Sequence, residues 1–267
     1  MLLPILCKEC SNDERFQQIE LTDSIEYDVL CKNGHRQKLF LSTPKYEILF
    51  QAGIEAIKAG FYSEAIINFA TCLERFYEFG IQCLLLNGYK GYEDFKEQLV
   101  QFEMIWKPGF SSKSEKQMGG FLILYLQILR KAPPYFEAKF AQKIGLSFGN
   151  KITSPVHLRN EVAHKGYIAT YNQAVSYGEC VFQYCKEVLV EFHNSLRPAF
   201  DSKISKGEFI IAMAEHMALE RLVPDHTTRF STAFPVFLHG LSVLVRERLY
   251  KERGGVYSLL DLLPLKP

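Results

Sequence analysis

One stripe of residues constrains this chain more than any other feature: Ile66, Phe69, Ala70, Leu73, Phe76, Tyr77, Gly80, Ile81 and Leu84. They recur at the i, i+3, i+4, i+7 spacing of a single helix face. Gly60 stands before the stripe, and Asn87 with Gly88 closes it, which predicts a helix over about 62–86. So long an amphipathic helix needs other helices to cover its apolar side. The same period supplies them, with a helix over about 47–59 and others near 92–105, 114–131 and 135–147. Pro133 with Pro134, and Gly149 with Asn150, separate these segments. At 48% hydrophobic and 13% aromatic residues, the chain has ample material for such a core.

Further along, Ser154 is a good N-cap and Pro155 suits the first helical position, so a helix begins there. It ends near His164, because Lys165 and Gly166 supply a C-terminal stop. Thr170 caps the next helix and Gln173 completes a capping box. That helix runs to about Ser195, with Val175, Gly178, Val181, Phe182, Cys185, Val188, Leu189 and Phe192 on one face, and Pro198 closes it. Two more helices are expected, about 205–222 and 234–251. Residues 53–74 locally resemble one tetratricopeptide helix pair, but no copy recurs at the required period, which excludes a solenoid.

The first 43 residues follow another pattern. Phe16 to Leu21, Ile25 to Leu30 and Arg36 to Leu41 are short mixed segments separated by turn-forming residues, and predict a small antiparallel sheet. With Pro44 as a boundary, the expected plan is a β segment over 1–43, a helical domain over 46–198 and a helical extension over 199–267. The fold class is mainly α.

Within the β segment, Cys7-x2-Cys10 and Cys31-x3-His35 offer four ligands of the kind zinc prefers, separated by twenty residues. Two residues between the first thiols allow a tight knuckle, and Gly34 permits the turn that brings His35 beside Cys31. Residues 5–42 thus resemble a zinc ribbon. Four protein ligands leave no position for water, so the expected zinc is structural. A sheet this small gains little from burial, and metal binding would supply the missing free energy.

Net charge is +1, so no global field draws the chain to nucleic acid, and any such binding depends on a local patch. The beginning of the chain lacks the features of a signal peptide, and no apolar stretch reaches the ~20 residues of a membrane span. Seven cysteines, four of them inside helical patterns, point to reduced thiols and a cytoplasmic setting. No glycine-rich phosphate loop or nucleophile elbow is present, which disfavours NTPase, kinase and α/β-hydrolase chemistry.

The chemistry concentrates in Arg159, Asn160 and His164, on the short helix that ends at Gly166. This pattern resembles the motif of the HEPN superfamily: an arginine, often followed by a polar residue, then a histidine four to six positions on. The resemblance covers about residues 46–196. It implies an endoribonuclease acting as a homodimer, with the motifs of two chains meeting around the scissile RNA phosphate. His164 would act as acid or base and Arg159 would stabilise the phosphorane-like charge, without a catalytic metal. The resemblance further implies a toxin or antiviral effector restrained by a regulatory protein partner. On an ideal helix, residues five apart diverge by about 140°, so a site shared between two subunits eases the geometry. The alternative is a non-catalytic dimeric adaptor using the ribbon and the helical domain.

Other residues carry weaker signals. His157 and Lys165 flank the motif and could contact phosphate, while Glu74, Arg75 and Glu78 could line the same cleft. Glu215, His216 and Glu220 have helical ligand spacing but lack a second ligand set. Lys203, Lys206, Arg221 and Arg229 are scattered, and Arg246, Arg248, Lys251 and Arg253 form a denser basic group.

Overall fold

The apolar stripe forms the long helix expected of it, and that helix is the axis of the fold. The computed structural model of the chain describes residues 2–6, 10, 16–22, 26–41, 44–110 and 114–199, together with Ile210, Ala214, Arg229 and Phe230. Helix α1 (Lys45–Lys58) leads into α2 (Tyr62–Leu85). All nine stripe residues are buried, and so are Cys72, Phe79 and Cys83 on the flanks. The helix is therefore enclosed on several sides, with α1, α4 (Ser114–Leu129), α6 (Pro155–Lys165) and α7 (Tyr171–Ser195) all packed against it. Each large apolar side chain removed from water contributes about 1.5–3 kcal/mol, which makes α2 the main source of cohesion. Aromatic edges fill the seams: Tyr46 meets Phe76 at 5.3 Å and Phe121 meets Tyr77 at 5.2 Å.

Helix α3 (Tyr92–Ile105) passes directly into a π-helical turn over Trp106–Phe110. Trp106 is buried there, stacked on Phe102 at 5.1 Å, with the Arg75 guanidinium 5.9 Å from its ring centre. Helix α4 stops at Leu129, two residues earlier than expected, because Arg130 takes a positive φ of 56°. Helix α5 (Ala138–Lys143) corrects the longer expectation of 135–147. The diproline delays its start and Gly145, at φ 73°, ends it early.

The N-terminal residues depart from a single sheet. Strand β1 (Leu2–Leu6), which sequence patterning missed, pairs antiparallel with β2 (Phe16–Glu20), placing Pro4 opposite Gln18. Strands β3 (Glu26–Leu30) and β4 (Arg36–Leu41) form a separate antiparallel pair with Asp28 opposite Lys38. A two-residue strand β5 (Arg229–Phe230) then joins β4 in parallel, placing Phe40 opposite Arg229. The expected helices near 205–222 and 234–251 lie outside the described residues, except that Ile210 and Ala214 are helical and buried.

Candidate functional site

Helix α6 is built as its sequence dictates. The Ser154 hydroxyl accepts the His157 backbone N–H at 3.0 Å, Pro155 occupies the first turn, and Gly166 closes the helix at φ 68°. That left-handed value is one a side chain resists, and it turns the chain toward α7. There Thr170 and Gln173 form the reciprocal cap. Two cap motifs thus fix both ends of the segment that presents Arg159, Asn160 and His164.

Arg159 lies at the mouth of a cleft, about 28% of its side chain exposed. Its guanidinium donates to Asn160 Oδ1 at 3.1 Å and to Glu74 Oε1 of α2 at 3.2 Å. Glu74 therefore does line the cleft, as a partner that aims the arginine rather than as part of a solvated face. Arg75 and Glu78 do not line it: they pair with each other at 2.9 Å, and Arg75 also donates to the buried Gln117 at 3.1 Å. The cleft measures about 190 Å³ and lies between α2, α4, α6 and α7. Tyr77, Phe136 and Tyr177 form its aromatic wall; Val156, Arg159 and Asn160 border it from α6, with Met118 and Glu115 from α4.

His164 occupies a different position. It is exposed in the last turn of α6 and makes no hydrogen bond or ion pair among the described residues. It stands four residues past Asn160, on nearly the same helix face, while Arg159 diverges from it by about 140°. One chain thus brings Arg159 and Asn160 to the cleft, with His164 at the outer end of the same helix. His157 and Lys165, considered as phosphate contacts, are both drawn to Glu161, at 3.3 Å and 2.6 Å. Those contacts hold the Glu161 carboxyl below its ordinary value, with the Lys165 hydrogen bond the largest cause.

Sequence patterning did not find the aromatic wall, since Tyr77 and Tyr177 sit on faces that also serve the core. The available signal was their hydroxyls, polar tips on otherwise apolar stripes. Burial pushes both phenols well above their ordinary range, with Arg159 partly opposing the shift at Tyr177. Both remain protonated near neutrality.

A second constellation lies in the N-terminal segment. Cys10, Cys31 and His35 converge, their ligand atoms all within 4.8 Å of one another, and could hold a metal ion. The Cys31 Sγ also accepts the His35 backbone N–H at 3.3 Å, and the Asn33 side chain donates to Cys10 Sγ at 3.3 Å, contacts that favour thiolate sulfur. Cys7, the remaining expected ligand, lies outside the described residues, as do Glu215, His216 and Glu220 and the basic groups at Lys203, Lys206, Arg221 and 246–253. Arg229 is described only as part of β5.

Among the described residues, no helix is long and apolar enough to cross a membrane. No known protein family, curated protein or solved structure matches this chain.

Proposed function

We propose that the chain is a metal-independent endoribonuclease of the HEPN type, active as a homodimer and carrying a structural zinc in its N-terminal segment. The observation that carries this reading is the anchored Arg159 guanidinium at the cleft mouth, with Asn160 beside it and an exposed histidine one turn beyond. Glu74 and Asn160 engage two guanidinium N–H groups, and an arginine has five, so donors remain for a phosphate. His164 faces solvent, where a ribose 2′-OH from substrate can reach it. Removal of that proton lets the oxygen attack the adjacent phosphorus, expelling the 5′-oxygen and leaving a 2′,3′-cyclic phosphate. Arg159 neutralises the charge that develops on the phosphorane oxygens. The helix phase separates Arg159 from His164 within one chain, which favours a site completed by a second copy.

The bundle end beside His164 suits such a partner. Ser63 Oγ accepts the Ala169 N–H at 3.1 Å and donates to Tyr167 carbonyl oxygen at 3.3 Å, tying the loop after α6 to the start of α2. The neighbouring Ile168 is 85% exposed and Phe61 is 60% exposed, apolar residues of the kind that interfaces cover. The same pair also favours the second reading, a non-catalytic dimeric adaptor.

Zinc is supported by geometry. With Zn–S near 2.3 Å and Zn–N near 2.0–2.1 Å, a tetrahedral ion needs ligand–ligand edges of roughly 3.5–3.8 Å. Cys10 to Cys31 spans 3.6 Å, and each sulfur lies 3.4 Å from His35 Nδ1. Cys7 would be the fourth ligand, closing the shell and giving the ion a structural role.

Wild type, Arg159→Ala and His164→Ala, each checked for folding and dimerisation, are compared for cleavage of bulk RNA in buffer without added divalent cations. Cleavage by wild type alone, with cyclic phosphate ends, supports the ribonuclease. Intact RNA from all three, with a dimer confirmed, leaves the adaptor.

A further inference from the structure

We propose that the cleft behind Arg159 is a nucleobase subsite, which takes the ring of the nucleotide whose phosphate lies at Arg159 and Asn160. This rests on the ribonuclease reading and adds which part of the RNA the cleft recognises. At about 190 Å³ the space falls below the roughly 300–1,000 Å³ of sites for drug-sized ligands, so it suits one planar ring system. Phe136 and Tyr177 meet at 5.9 Å with their planes 75° apart, and Tyr77 completes the wall. Aromatic faces of this kind hold unstacked bases in single-stranded RNA.

Tyr177 supplies the independent sign of a ligand. The residue is 2% exposed and borders the cleft, yet its hydroxyl makes no hydrogen bond with any described residue. That hydroxyl is not among the fully buried unmatched atoms, so it opens to the cleft, where a ring nitrogen or carbonyl oxygen of a base would accept from it. From the aromatic floor the chemistry runs through the Tyr177 hydroxyl to a rim where Arg159, paired with Glu74 and near Glu115, is the group that meets the phosphate of a nucleotide entering base first. Val156 borders the slot from α6 while remaining 45% exposed, so it can be enlarged there without burdening the core.

The test uses the full chain and 2′-O-methyl dinucleotides, which keep base and phosphate but lack the nucleophile, so binding is read apart from cleavage. Equilibrium dialysis compares wild type, Val156→Trp and Tyr177→Phe, with an abasic analogue and benzoate as control ligands. We expect wild type to bind the dinucleotide at least about fivefold more tightly than the abasic analogue, the lower end of what stacking one base provides. Val156→Trp should lose at least the same factor, and Tyr177→Phe a smaller one, with unchanged helical circular dichroism. Equal affinity for the abasic analogue, or benzoate binding as well as the dinucleotide, overturns the subsite even if Val156→Trp fails to fold. RNA cleavage followed in parallel separates the two claims. Cleavage that continues at the wild-type rate and pattern in folded Val156→Trp removes the subsite and leaves the ribonuclease. Base-dependent binding with no cleavage in wild type removes the ribonuclease and leaves a nucleotide-binding cleft.

Discussion

Cysteine is buried at both ends of this molecule's architecture, and the two settings give it opposite roles. In the helical bundle, Cys72, Cys83, Cys180 and Cys185 sit within one continuous apolar core alongside Phe50, Phe69, Phe76 and Phe182. Burial pushes the Cys180 thiol up to about 12 and raises Cys72 strongly, so both are neutral, unreactive fillers. In the N-terminal strands, Cys10 and Cys31 are themselves the buried cluster. Among the described residues, their sulfurs face each other, a histidine ring and two N–H donors. The same side chain is packing material in the bundle and a candidate metal ligand in the strands. Cohesion in the bundle is spread over that shared core, whereas a bound ion would concentrate it at one point in the strand segment.

That contrast predicts a large asymmetry on metal removal. Purified protein should contain about one zinc per chain, reduced in Cys7→Ser. Stripping it with a strong chelator should expose Cys10 and Cys31 to thiol reagents, because structural zinc in small domains contributes about 10–16 kcal/mol of binding free energy. The bundle thiols should stay protected and the helical circular dichroism nearly unchanged. Bundle thiols that became reactive together with Cys10 and Cys31 would break the comparison, since the two regions would then be one cooperative unit.

A smaller effect of the opposite kind is expected at Gly80. A methyl group added there would lie 2.6 Å from Phe121 Cε2, closer than atoms tolerate. The Phe121 ring is fully buried and wedged against Tyr77, Tyr125 and Phe192, so it has nowhere to swing. Overpacking of this sort costs about 1–3 kcal/mol, against a helix-propensity gain of about 1 kcal/mol. Gly80→Ala should lower the urea midpoint of the bundle while metal content holds at the wild-type value. An unchanged or raised midpoint would mean that α2 and α4 slide apart easily, contrary to a tightly shared core.

These two regions also differ in how well the sequence announced them. The positions of α2, α3, α6 and α7 were legible to within a residue or two, because period, N-caps and glycine stops act locally at Ser154, Gly166 and Thr170. Strand β1 was not, since the four apolar residues flanking Pro4 carry no alternation to mark a strand. The convergence of Cys10, Cys31 and His35 followed from ligand spacing, whereas the separation into two strand pairs depends on partners distant in the chain. At the cleft, Arg159 and Asn160 were legible as a pair. The Glu74 ion pair and the Tyr177 wall were not, because both join residues more than eighty positions apart from the motif or hidden within a core face.

The smallest expected effect tests whether helix α6 belongs energetically to the bundle. Glu161 is held below its ordinary carboxyl value of 4.5 by Lys165 and His157. A depressed folded-state value means that the ionised form stabilises the fold at pH above about 4.5, and that this contribution fades as acid protonates the folded carboxyl. Glu161→Gln should therefore lower bundle stability slightly at pH 7, and the difference from wild type should shrink to nothing below the folded value. Because both partners, Lys165 and His157, are exposed to solvent, the change should be smaller than that at Gly80. Acid also competes for the thiolate and imidazole ligands of the strand segment, so metal release should accompany the same descent in both proteins. If Glu161→Gln shifts the pH of metal release as well as the bundle midpoint, α6 and the strand segment are coupled. An effect confined to the bundle midpoint keeps the two modes of cohesion separate.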